Sequence, residues 1–233
     1  MASEEKNQSN IINSELNLNY NKYLFADNPI NRFKTKPKVE DISTKLEELR
    51  NEIEKIENCE LKKNASKIVF SDGNNRSKIM IVGEGPGQKE DQEGKPFVGD
   101  AGLLLNKMLK SINIERKKVY ITNVVNYRPP NNRKPEPAEI NRYSEFLREH
   151  ISIIDPKILI LMGITAMESL FGSKIKKSKE RGVCKELIIN NKTYLTMITF
   201  HPAYLLRLPE QKKYSWIDLK EIKIKINKLG LKI

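Results

Sequence analysis

The sequence predicts an α/β protein built on a parallel sheet covered by helices on both faces. Two observations carry this. Apolar runs of strand length alternate with segments whose apolar residues recur at helical spacing, a βαβα rhythm. The chemically unusual residues then fall just after the strands, where parallel sheets gather their ligand sites.

Residues 1–40 are rich in Asn, Ser and Lys with a thin scatter of apolar side chains, and read as a largely disordered or loosely docked extension. The main domain is expected over 41–233. It begins with an amphipathic helix in DISTKLEELRNEIEKIENC, where Ile42, Leu46, Leu49, Ile53 and Ile56 share a face and Asp41 or Ser43 can cap the start. KIMIV (78–82) predicts a strand and AGLLLNKMLKSI (101–112) a helix. VYITNVV (119–125) predicts a strand, and PAEINRYSEFLREHISII (137–154) a helix opened by proline. KILILM (157–162) predicts the next strand, followed by the helix ITAMESLF. ELIINNKTYLTMITF reads as two strands joined by an Asn-Asn turn, and a last helix occupies roughly 210–228.

At 233 residues, 38% hydrophobic and 31% charged, the composition is that of a soluble globular protein. The longest apolar run, Ile158–Met162, is too short to span a bilayer, and MASEEKNQSN lacks the features of a secretory signal. A cytoplasmic location and no membrane contact are the expectations. Cys59 and Cys184 form no CxxC pair and read as reduced thiols. The net charge of +12 favours a polyanionic partner, although lysine and asparagine abound throughout, as an AT-rich coding sequence would produce.

The loop VGEGPGQKEDQEGKPFVGDAG (82–102) is glycine-rich and follows a strand, yet carries Glu84, Glu90, Asp91 and Glu93. GEGPG is not GxGxxG and no GK[ST] follows, which excludes a phosphate cradle. A carboxylate at a strand end instead suits the orientation of a water or the balance of a developing positive charge. Phe97 either plugs the sheet end or offers a stacking surface for a flat ring. Asn123 closes a strand; such a residue is more often a turn former, but its amide can also read an imide edge. In HPAYLLR, His201 can donate to a carbonyl oxygen, and the apolar-plus-Arg loop can wedge into a base stack while gripping phosphate. His150, inside an amphipathic helix, reads as structural.

Taken together, GEGPGQKEDQEGKPFVGDAG, ITNVVNYRPPNNRKP, LMGITAMESL and TFHPAYLLR resemble the family 4 uracil-DNA glycosylases, over about Ile56 to Trp216. The resemblance implies a three-layer α/β/α sandwich with a central four-stranded parallel sheet. It implies a monofunctional DNA repair hydrolase that extrudes uracil and cleaves its N-glycosidic bond, as base flipping requires. Mapped by motif, Glu84 would orient water or stabilise the sugar cation, with Glu90 a possible assistant and Asp91 supporting the loop. Gly83, Gly85 and Gly87 would line the pocket, Phe97 would stack on uracil and Asn123 would bond its edge. His201 would stabilise the departing base. Leu206 and Arg207 would fill the space it vacates, and the loop carrying Arg128 and Arg133 would touch DNA. The implied partner is uracil-containing DNA, single- or double-stranded, and a monomer is expected.

The family's pattern includes a [4Fe–4S] cluster on four cysteines. The corresponding positions here are Ile56, Cys59, Tyr127 and Tyr143, so three ligands are missing. The expectation is no cluster, no metal and no other cofactor, with Ile56, Tyr127 and Tyr143 plugging the vacated volume. Gly85 stands where the family usually has Ala, which leaves an altered base preference open. The segment RPPNNRKPEP has no histidine, so the covalent capture of DNA seen in a related branch is not expected. The competing reading is a degenerate relative that binds DNA or a replication partner without excising anything.

Overall fold

A computed structural model describes residues 41–172 and 181–231. The N-terminal extension lies outside the described residues. Helix α1 (Ile42–Glu54) buries Leu46, Leu49 and Ile53. Each such side chain contributes about 1.5–3 kcal/mol of transfer free energy. Asp41 precedes the first turn without a side-chain cap bond, and Ser43 instead accepts from Asn75. A short α2 (Glu60–Asn64) and a two-residue strand β1 (Asp72–Gly73) follow; the sequence pattern shows neither.

The sheet itself is β2 (Ile79–Gly83), β3 (Tyr120–Asn123), β4 (Ile158–Met162), β5 (Cys184–Ile189) and β6 (Lys192–Thr199), together with β1. Its order is β1-β3-β2-β4-β6-β5. The pairs β3–β2, β2–β4 and β4–β6 are parallel, while β1 and β5 join antiparallel at the edges. Among the described residues the sheet therefore has six strands, and the four expected parallel ones form its centre. The extra edge strand β5 comes from a tight hairpin in which Asn190 and Asn191 both take positive φ, as such turns demand. Every residue of β2 and β4 is buried, which is how strands covered on both faces read.

Alternation along the strands divides the core. Met80, Val82, Leu159 and Leu161 pack with α1, α5 (Pro137–Ile154) and α6 (Ile164–Phe171). Ile79, Ile81, Ile158 and Ile160 pack with α4 (Asp100–Ser111) and α8 (Lys212–Lys228). These are the three layers. Remaining helices are α3 (Gln88–Glu93) and α7 (Pro202–Arg207). α7 replaces the loop expected for HPAYLLR: Pro202 presets the first helical φ, and His201 caps it. His150 is buried as expected, stacked on Phe70 with centroids 4.7 Å apart and bonded to the Tyr120 hydroxyl at 2.7 Å. Among the described residues, no helix is long and apolar enough to cross a membrane.

Candidate active site

A cleft of about 280 Å³ opens at the carboxyl ends of the parallel strands, lined among others by Glu84, Glu90, Phe97, Asn123, His201 and Arg207. Strand register explains the convergence. Gly83 and Asn123 are paired across β2 and β3, so Glu84 and the amide emerge side by side. A Cβ on Gly83 would lie 2.4 Å from Asn123 Oδ1 and 2.5 Å from the Phe97 ring, so only glycine lets all three meet. Gly85 also lines the cleft, but a Cβ there would fall 2.7 Å from Val125 Cγ2. The methyl missing at Gly85 is thus matched by Val125, and the cleft gains little width from the change.

Glu84 accepts a short bond of 2.5 Å from Thr165 Oγ1. Thr165 is fully buried in the first turn of α6, and no cation among the described residues pairs with Glu84. The carboxylate is therefore oriented without being neutralised, free to face a positive charge developing in the cleft. Sequence reasoning missed Thr165, although its place directly after β4 marked it as a strand-end residue.

Glu90 lines the cleft and is also held by the backbone of its own loop. Its Oε2 accepts from Gly87 N at 3.1 Å, and its Oε1 from Val98 N and Gly99 N at 2.9 and 2.8 Å. One carboxylate thus ties together the two halves of the acidic loop. Asp91 is buried and lies outside the cleft lining. Its Oδ1 accepts from Ser66 N at 2.8 Å, so it supports the loop and does not face a substrate.

Phe97 is buried, its backbone at φ +53, a region costly for a bulky side chain. Arg116 holds it there. Its guanidinium donates to Phe97 O at 2.9 Å and Pro96 O at 2.7 Å, and pairs with Asp72 at 2.8 Å. The Phe97 and His201 rings stack at 5.4 Å with 27° between planes. His201 Nδ1 accepts from Ala203 N at 3.2 Å, which leaves the proton on Nε2. Burial pushes its pKa down to about 4, with nearby Arg207 acting in the same direction and Glu90 opposing. His201 is thus a neutral donor at physiological pH. The Asn123 side chain is buried, and its Nδ2 has no partner among the described residues.

The remaining expected DNA contacts divide. Arg207 stands at the rim of the cleft and makes no ion pair among the described residues, with Leu206 exposed beside it. Arg133 also lines the cleft but is forked onto Glu139 at 2.8 and 2.6 Å, which makes it a brace for the RPPNNR loop. Arg128, partly exposed, donates to Asn132 at 2.7 Å and lies outside the lining. Tyr204, unassigned from sequence, also lines the cleft.

Residues 70–220 match the Uracil DNA glycosylase superfamily. The chain belongs to that superfamily. A type-4 uracil-DNA glycosylase of Thermotoga maritima is 39% identical over 188 residues, covering 79% of this chain and 96% of the relative. One of Sulfurisphaera tokodaii is 40% identical over 184 residues, covering 76% and 83%. One of Archaeoglobus fulgidus is 35% identical over 181 residues, covering 76% and 91%.

The four positions that correspond to the family's cluster ligands do not fit an iron–sulfur group. Ile56, Cys59, Tyr127 and Tyr143 are all buried in one hydrophobic cluster, and Tyr143 is wholly inaccessible. The Tyr143 hydroxyl and Cys59 sulfur are hydrogen-bonded at 3.4 Å. Burial pushes the Tyr127 hydroxyl up to about 12 and that of Tyr143 still further from its ordinary value, so both are neutral phenols. A single thiol remains where a cluster needs four thiolates. Among the described residues, no group of three or more His, Cys, Asp or Glu could hold a metal ion.

Proposed function

We propose that this chain is a uracil-DNA glycosylase that hydrolyses the N-glycosidic bond of a uracil flipped out of DNA, leaving an abasic site. The observation that carries the reading is the buried Nδ2 donor of Asn123, without a partner among the described residues, in a cleft that Phe97 also lines. A buried amide donor left unsatisfied costs about 1–3 kcal/mol. A base carbonyl relieves that cost, and the oxygen of the same amide accepts from the adjacent ring N–H of uracil. Family membership and the type-4 relatives support the same conclusion.

In this reading the extruded base slides against Phe97, whose ring is fixed by the Arg116 fork. As the glycosidic bond lengthens, electrons move onto the base and positive charge onto the sugar. His201 Nε2–H donates to the base oxygen that gains charge, and remaining neutral it needs no buried counter-ion. Glu84, oriented by Thr165, faces the sugar cation and aligns the attacking water. Water adds to the sugar carbon, and its proton passes by way of the Glu84 carboxylate to the departed uracil anion, leaving the abasic hydroxyl and neutral uracil. Arg207 meets backbone phosphate at the rim while Leu206 occupies the gap in the stack. All these groups come from one chain, which supports action as a monomer.

The same reading takes the enzyme to work without an iron–sulfur cluster, because Tyr127, Tyr143 and Ile56 supply by packing what ligands would supply by coordination. Single-turnover release of uracil from a labelled oligonucleotide tests the activity; no release from folded protein in excess would leave a non-catalytic DNA-binding relative. Stoichiometric iron and a brown colour in anaerobically purified protein would overturn the second part.

A further inference from the structure

Beyond the cleft, one surface has a composition that the chemistry above does not use. The chain leaves the rim at Arg207, passes through a short 3₁₀ turn (Pro209–Gln211) and enters α8 at Lys212. The first turns of α8 therefore start at the end of the sheet that carries the cleft. Among the described residues, exposed apolar side chains beyond Leu206 concentrate here: Leu208, Tyr214, Trp216 and Ile217. Trp216, the sole tryptophan of the chain, is 45% exposed.

Its surroundings are specific. Lys212, Trp216 and Lys220 recur four residues apart and so stand on one helix face. Lys220 Nζ lies 5.9 Å from the indole, and Lys213 Nζ lies 5.0 Å from the Tyr214 ring. Nearby, the fully buried Asp218 binds Thr199 at 2.7 Å and Arg181 at 2.5 Å, which anchors the helix under this face and leaves its acid out of reach of a ligand. The face thus offers a flat ring between cations. An acidic peptide would suit the lysines but not the indole, whereas a nucleic-acid strand with unpaired bases suits both.

We propose that Trp216, framed by Lys212 and Lys220, is a stacking subsite for an unpaired base flanking the flipped nucleotide, so that the enzyme grips single-stranded DNA better than duplex. The proposal rests on the glycosylase reading for its substrate, but its test is separable. Because the chain has one tryptophan, its emission reports the contact directly. Titration with uracil-free oligothymidylate is expected to quench Trp216, and a duplex of equal length to quench it much less.

Trp216→Ala is expected to raise KM about tenfold for a single-stranded uracil substrate extended on the side that passes α8, with kcat unchanged. Substrates extended only 5′ or only 3′ of the uracil identify that side. Trp216→Phe should recover most of the loss. In protein that releases uracil, unchanged emission or an unchanged KM in Trp216→Ala overturns the proposal and leaves the function standing. Quenching in protein that releases no uracil contradicts the function instead and leaves the stacking surface intact.

Discussion

The cleft and the corner of Ile56, Cys59, Tyr127 and Tyr143 are opposites in how they treat polar groups. In the cleft, a buried amide donor stands unpaired, an aromatic residue holds positive φ, and a histidine is kept neutral by burial. In the corner every side chain is buried, and the hydroxyl of Tyr143 finds the sulfur of Cys59. Strain and unmet hydrogen bonds persist only where the surrounding structure enforces them. In the cleft the unpaired amide of Asn123 and the positive φ of Phe97 stand beside each other, whereas the corner is closed by packing.

The sharpest way to break this contrast is at Glu84. Glu84→Gln keeps the size and can still accept from Thr165, but removes the charge that faces the sugar. Single-turnover uracil release is expected to fall about 10²–10⁴-fold, with no change in thermal midpoint. A fall below threefold would remove Glu84 from the chemistry. At the corner the pattern should invert. Tyr143→Ala is expected to cost about 3–5 kcal/mol in urea denaturation, as large aromatic truncations in cores do, while the release rate per folded molecule is unaltered. A loss of rate without loss of stability would show that the corner takes part in function.

Arg116→Lys sharpens the comparison from the cleft side. Lysine cannot fork onto two carbonyls, so Phe97 is freed from its strained turn. Release is expected to slow by about 10²-fold or somewhat less, through kcat more than KM, in protein whose circular dichroism is unchanged.

The smallest effect is the pH response. His201 and His150 have pKa values pushed down by burial from 6.5 to about 4 and about 3. The folded protein keeps both neutral where the unfolded chain already takes up protons. Their stabilising contribution is thus complete above pH 6.5 and drains away as pH falls towards 4 and then 3, by at most about 2 kcal/mol per histidine at pH 5. Denaturation midpoints should therefore drop between pH 7 and pH 5 while release by folded enzyme stays level with respect to His201, declining only near pH 4. A decline in release centred near pH 6.5 would mean that His201 titrates as if exposed.

Much of this was legible from residue patterns. The helices at 137–154 and 164–171 carry both their apolar period and their boundary signals, Pro137 and Gly163, and the folded structure keeps those limits. Glu84, Asn123 and His201 stood out because they sit at or just past strand ends, and Phe97 because it is an aromatic residue in a loop. What stayed hidden depends on distance in space. Arg116 sits in the run ERKK, which reads as a solvated surface, and only the fold brings it to the carbonyls of Pro96 and Phe97. Glu90 and Asp91 are neighbours in sequence, yet successive residues on a helix point about 100° apart. One therefore ties up the loop while the other turns towards Ser66. The segment HPAYLLR looked like a loop because a helix of six residues leaves too short a period to detect.

The placement of His201 directly after β6 has a consequence for the life of the chain during synthesis. The acidic loop and Asn123 leave the ribosome long before the last parallel strand, and β6 must pair with β4 before the imidazole reaches them. Contacts between such distant stretches form late. A nascent chain or a fragment that stops before β6 can hold Glu84 and Asn123 yet lack His201. On the proposed role of His201, the site is therefore assembled only after β6 has paired with β4.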